Sequence, residues 1–224
     1  MKRVLVALLA ISMAAGVLTG CGSKGSEKTF TVGFDAEFPP YGYRDDSGEY
    51  VGFDLDLAAE VCKRQGWELV KQPIDWDAKD MELSSGAIDC IWNGFTMNGR
   101  EDAYTWTEPY IDNSQVFVVA SASGVQNKEE LAGKAVAVQK DSSALAALND
   151  EENADNIALR DSFAQLIEYA DYNTAFMDLE QGAVDAVAID IGVAQYQIAQ
   201  RDRYAAGRGQ QAGCRAVCSR FPEG

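Results

Sequence analysis

Short apolar runs that stop abruptly at polar residues punctuate this chain, and two of them are introduced by nearly the same four residues. Gly86-Ala87-Ile88-Asp89 leads into Cys90-Ile91-Trp92 and stops at Asn93-Gly94. Gly182-Ala183-Val184-Asp185 leads into Ala186-Val187-Ala188-Ile189 and stops at Asp190. Each copy follows an amphipathic stretch, so the pattern predicts a helix, a glycine turn and a buried parallel strand with a polar group at its carboxyl end. In open α/β sheets, ligands settle just beyond those ends. Two such units a domain-length apart imply two similar lobes facing one cleft.

Other runs fill in the lobes. Phe30 to Phe34 predicts a strand, followed by an aromatic loop from Asp35 to Tyr43 that Pro39 and Pro40 keep irregular. Residues 44–49 read as a hairpin turn. The next helix is expected to be capped by Asp54, with Leu57 and Val61 on its buried side, Lys63-Arg64 in the last turn and Gly66 as its stop. Trp67 to Ile74 predicts a further strand. Ser114 to Ala120 is a β run long enough to pass from one lobe to the other. Ala135 to Val138 predicts a buried strand ending in polar residues 139–143, which echoes Thr31 to Phe38, and a helix is expected to begin at Ser143 with free N–H groups. Asn173 to Gln181 supplies the helix before the second glycine turn.

The N-terminus changes the picture of where the protein works. Lys2-Arg3 and the apolar stretch Val4 to Val17 read as an export signal, too short to span a bilayer as a mature helix. The segment Leu18-Thr19-Gly20-Cys21 resembles the bacterial lipobox, which implies diacylation of Cys21 and the two acyl chains that stable anchoring requires. A polar tether follows. The resulting organisation is a signal peptide at 1–20, a lipidated tether at 21–29, a first lobe at 30–118, a second at 119–200 and an atypical tail at 201–224.

Charge and composition remove whole classes of activity. The formal net charge of −16 argues against nucleic acid or an anionic lipid surface as partners. The sequence contains no histidine, which excludes Ser-His-Asp and Cys-His catalysis and histidine zinc sites. Of five cysteines, Cys62 and Cys90 lack metal-type spacing and read as small buried apolar residues rather than a disulfide. Neither a cofactor nor a metal is expected.

The assembled pieces Val32 to Asp35, Val51 to Leu57, Gly86 to Thr96, Leu131 to Lys134 and Gly182 to Asp190 stand in one order along the chain. In that order they resemble the extracellular solute-binding proteins of polar amino-acid ABC transporters. The resemblance implies a two-lobed α/β periplasmic-binding-protein type II fold, each lobe a mostly parallel sheet flanked by helices. It implies a monomeric receptor, not an enzyme, that closes over a free polar amino acid, basic and amide side chains included, and delivers it to an ABC permease. A free amino acid presents a carboxylate, and a planar fork that grips it in two places is found only in arginine. By resemblance Arg100 is that clamp, assisted by Thr96 and the helix start at Ser143, although the step from Thr96 to Arg100 is one residue shorter than in the best-known members. Asp190 is the expected acceptor for the ammonium, with the Gly94 carbonyl beside it. Phe38 and Phe53 match positions whose rings pack on the ligand, Asp35 matches a position that meets polar or basic side chains, and Gln139 falls at another specificity position. Trp92 is open to either core or cleft.

Two other readings use the same fold: a small-carboxylate enzyme of dehydratase type, with Asp35 or Glu37 as base, and a sensory ligand-binding domain. The tail after Gln200 loses the acidic periodic character and reads as a truncated or out-of-frame end with neither helix nor strand. The C-terminal part of the fold is therefore expected to be incomplete, lacking the second hinge crossing and leaving the second lobe short of an edge partner.

Overall fold

The computed structural model describes residues 28–208 and 214–217. The export signal, the lipobox Cys21 and most of the tether lie outside the described residues. Two sheets form the two lobes. In the first, β1 (Thr29–Phe34) runs parallel between β5 (Glu68–Pro73) and β6 (Cys90–Ile91). A small antiparallel sheet of β2 (Glu37–Phe38), β3 (Gly42–Arg44) and β4 (Tyr50–Val51) sits beside it. The hairpin turn between β3 and β4 is closed by Asp45, whose carboxylate accepts from the Ser47 and Glu49 amides. Helices α1 (Phe53–Gln65) and α2 (Lys79–Ser85) follow β4 and β5.

The second sheet has the order β11-β7-β10-β8-β9. Its strands β8 (Ala135–Gln139), β9 (Gln165–Tyr169) and β10 (Ala186–Asp190) are parallel, while β7 (Gln115–Ala120) is antiparallel to β10. Helices α3 (Ser143–Leu148), α4 (Ala154–Ser162) and α5 (Tyr172–Gln181) connect them. All of β7 belongs to this sheet, so a lobe boundary between 118 and 119 falls inside one strand. The tail also departs from expectation. After β10, helix α6 runs from Ile191 to Arg208, and β11 (Cys214–Val217) pairs antiparallel with β7. The exposed edge of β7 would otherwise carry unpaired amides and carbonyls, and β11 satisfies them.

The repeated four residues have a physical reason. Gly86 and Gly182 end their helices in the left-handed region, at φ 76° and 74°, which a glycine adopts without steric cost. Ile88 and Val184 are buried next. The aspartate then clips onto the neighbouring parallel strand. Asp89 donates its amide to the Thr31 carbonyl at 2.8 Å and accepts the Thr31 amide on its carboxylate at 2.7 Å. Asp185 does the same to Ala135, at 2.8 and 2.9 Å. Each clip fixes where a strand begins, and so where its carboxyl end stops.

Helix α1 is rotated from its expected setting. Gly52, at φ 138°, precedes it, and a side chain there would strike the Tyr41 carbonyl. Its buried stripe is Asp54, Leu55, Ala58 and Cys62, whereas Leu57 is half-buried and Val61 exposed. Asp54 is therefore no cap: it lies under the helix and accepts the Tyr110 hydroxyl proton at 2.9 Å. That bond is what makes a carboxyl on the inner stripe tolerable. Cys62 is buried, Cys90 half-buried, and both are free thiols.

Burial pushes the Asp54 carboxyl up to about 6 from an ordinary 3.8, against the lowering effect of the Tyr110 hydroxyl. The folded chain thus binds more protons than the unfolded one between about pH 4 and 6. Stability falls as pH rises through that window, by roughly 3 kcal/mol from this group at most. Asp54→Asn removes the titration while keeping the acceptor. Denaturant unfolding at pH 4, 5, 6 and 7 should show a flatter decline for the variant than for the parent; parallel curves would refute this account.

Candidate functional site

The carboxyl ends of β1, β5 and β6 face those of β8 and β10 across a narrow cleft. Phe38, Trp76, Asn93, Gly94, Phe95, Thr96, Gln139, Ser142, Ser143 and Asp190 line it. The lobes are drawn together so far that only about 10 Å³ of free space remains. Phe38 crosses from the first lobe, with its ring 6.0 Å from Tyr172, and joins a core that includes Val187 and Ile189 of β10.

Arg100 reaches this cleft from the segment after β6. Its guanidinium donates to the Thr96 carbonyl at 3.4 Å, the Ser143 hydroxyl at 3.2 Å and the Asp141 carbonyl at 3.1 Å, and lies 5.0 Å from the centre of the Phe95 ring. All three acceptors are neutral. Among the described residues it forms no ion pair, so Glu101 and Asp102 do not neutralise it. Burial lowers its affinity for its proton, partly countered by Tyr104 and Asp190.

Asp190 ends β10 as expected and is 4% exposed. Its carboxylate accepts from Gln115 at 2.7 Å and from Asn113, again neutral partners. Burial raises its pKa, while the two amide donors and Arg100 act in the other direction. Asn113 also donates to the Thr96 hydroxyl at 3.1 Å, so the two charged ends share a polar bridge.

Asp35, at the end of β1, accepts from Gln139 at 2.7 Å and from the Glu37 amide at 2.8 Å. Burial pushes it up to about 6. It faces a second, open groove of about 660 Å³, whose lining includes Glu37, Asp75, Asp77, Glu82 and Asp171. Trp76 stands between that groove and the cleft.

Of the site residues expected from the sequence, Phe38, Gly94, Thr96, Ser143 and Asp190 line the cleft, Arg100 binds its rim, and Asp35 lies beside it. Phe53 does not: it is 45% exposed and stacks on Tyr110, outside the lining residues. Trp76, which follows the end of β5, does line the cleft. Trp92 packs against Tyr110 in a T-shaped arrangement and is not among the residues lining the cleft. Asn113 and Gln115 carried no sequence signal, because Gln115 meets Asp190 only through the antiparallel register of β7 and β10.

Two α/β lobes with opposite charges facing one another across a cleft define a solute-binding protein of the two-lobed type. A family model, bacterial extracellular solute-binding proteins, family 3, matches residues 30–168, and the chain belongs to that family. Its relatives are amino-acid-binding receptors rather than enzymes. The L-cystine-binding protein TcyJ of Escherichia coli is 28% identical over 203 residues, covering 84% of this chain and 71% of that protein. The lysine/arginine/ornithine-binding periplasmic protein of Escherichia coli is 27% identical over 186 residues, covering 82% and 69%. Among solved structures, an ABC uptake transporter substrate binding protein from Streptococcus pneumoniae with bound histidine superposes with TM-score 0.74 at 32% identity, covering 84% and 73%. An ancestral arginine-binding protein bound to glutamine superposes with TM-score 0.72 at 29% identity, covering 86% and 79%. No helix among the described residues is long and apolar enough to cross a membrane.

Closure depends on one close approach. A Cβ on Gly192, at the start of α6, would lie 2.2 Å from the Tyr41 hydroxyl of the other lobe, and Tyr41 is itself buried. Gly192→Ala should hold the lobes apart and weaken amino-acid binding about tenfold or more, with the unliganded melting temperature little changed. Calorimetric titration beside a thermal melt checks both; full affinity in the variant overturns this reading.

Proposed function

We propose that this protein is a lipid-anchored extracytoplasmic receptor that binds one free polar amino acid between its lobes and delivers it to an ABC importer. One observation carries the reading. The cleft brings together a half-buried guanidinium at its rim and a buried carboxylate, each bonded only to neutral groups among the described residues. A zwitterionic amino acid supplies the missing partner at both ends: its carboxylate for Arg100 and its ammonium for Asp190. Charge-assisted hydrogen bonds of roughly 1.5–3 kcal/mol each, less the cost of ordering and closure, support affinity in the micromolar range, about −8 kcal/mol. Thr96, Ser143 and the Gly94 carbonyl complete the two grips, and Phe38 and Trp76 supply the walls. Membrane anchoring rests on Cys21 and its lipobox.

The side-chain end favours a cationic ligand. Asp35 and the acids of the adjoining groove are unaccompanied by lysine or arginine among the groove's lining residues. Asp35 as the base of an enzyme is disfavoured, because Gln139 and the Glu37 amide already occupy its oxygens.

A thermal melt against a panel of amino acids tests the reading. Ligand at about a hundred times its dissociation constant stabilises by roughly 2.7 kcal/mol. Basic amino acids should give the largest shift, and no shift with any amino acid defeats the proposal. Arg100→Ala and Asp190→Ala should each weaken binding by about 2–5 kcal/mol, because each strands one charge of the ligand in a closed site. Titration calorimetry at parent-like affinity for either variant removes that residue from the site.

A further inference from the structure

Helix α2 begins with a lysine, which is the unfavourable charge for a helix N-terminus. Lys79 is also among the most deeply buried side chains of the molecule, at 1% exposure. Such a residue requires a compensating partner, and the partner lies on the other lobe. The Lys79 ammonium donates to the Asp141 carboxylate, in the turn between β8 and α3. The rings of Trp76 and Phe95 flank it, 5.1 and 5.8 Å from their centres.

Asp141 collects more than this one contact. Its carbonyl accepts the Trp76 indole N–H at 3.2 Å and the Arg100 guanidinium at 3.1 Å. Three donors from the first lobe therefore converge on a single residue of the second. Asp141 is also the one non-glycine residue with positive φ among the described residues, at 53°, which turns its carbonyl and carboxylate toward the same neighbour lobe.

We propose that Lys79 and Asp141 are positioning residues for the carboxylate clamp: their cross-cleft ion pair fixes the Asp141 turn, and the Asp141 carbonyl in turn sets the fork of Arg100. The proposal rests on Arg100 being the clamp. Burial lowers the Lys79 pKa, with Asp80 and Asp77 opposing that effect and Arg100 adding to it. The pair is asymmetric. The Asp141 side chain is 50% exposed and can turn to water if Lys79 is lost, whereas the Lys79 side chain, 1% exposed, reaches water only if the lobes part.

That asymmetry gives a signature that general structural damage would not reproduce. Asp141→Gly accepts the same φ, keeps the carbonyl and strands the ammonium. It should weaken L-arginine binding on the order of a hundredfold. Lys79→Met should cost less than about tenfold, since it leaves only a half-solvated carboxylate. The double variant should bind more tightly than Asp141→Gly alone, because removing the stranded charge relieves the defect. Should Asp141→Gly fail to fold, Asp141→Asn carries the same comparison with a smaller loss. Solution X-ray scattering without any amino acid reads the lobe arrangement directly: Asp141→Gly should be more open than the parent, and adding Lys79→Met should close it again. That scattering pattern alongside a parent that binds no amino acid supports the ion pair and rejects the receptor reading. A parent that binds L-arginine while all variants bind and scatter alike overturns the ion pair and leaves the receptor intact. Losses that simply add in the double variant also overturn it.

Discussion

Two opposite charges that face one cleft, and are kept from neutralising each other, govern this structure. Removing an ion from water costs several kcal/mol even after relaxation. Arg100 and Asp190 meet that cost with fixed dipoles: three neutral oxygens around the guanidinium and two amides at the carboxylate. Neutral partners stabilise each ion without quenching it. The charge remains available to a ligand that brings its own opposite charge, and a zwitterion brings both.

The scaffold makes that separation possible. Arg100 follows a strand of one sheet and Asp190 ends a strand of the other, so the gap between the charges is set by how two rigid lobes meet. The aspartate clips at Thr31 and Ala135 fix the starts of β6 and β10, and through the strands' lengths they fix the ends that face the cleft. Polar contacts then cross it at several points, with Gln139 on Asp35, Asn173 on Glu37 and the three donors on Asp141. Specificity and closure are thus built from overlapping residues.

What the sequence disclosed follows the range of the interactions involved. The doubled glycine turn and its strand were legible because both depend on neighbours within a few residues, and Asp190 was legible as a polar stop on an apolar run. The setting of α1 was not. Leu57 and Val61 form as good an apolar stripe as Leu55, Ala58 and Cys62, and the choice between them turns on Tyr110 receiving Asp54 from far along the chain. Phe53 lies outward on Tyr110, and Trp76 lines the cleft. Gln115 and Lys79 were invisible for a related reason: each acquires its role only from a strand register or a lobe contact. The tail, read as lacking helix or strand, supplies an edge strand through backbone pairing, to which side-chain patterning is a poor guide.

The nearly filled cleft has a kinetic meaning. With about 10 Å³ of free space, the cleft in this arrangement admits no amino acid, so a solute can enter only once the lobes part. Entry is then timed by lobe opening rather than by the making of the solute's own contacts. Two solutes held with very different strength could enter at similar rates if both wait on the same hinge. Residues at the lobe contact such as Tyr41 and Gly192 therefore bear on both the rate of entry and the affinity, whereas the charges bear on affinity directly.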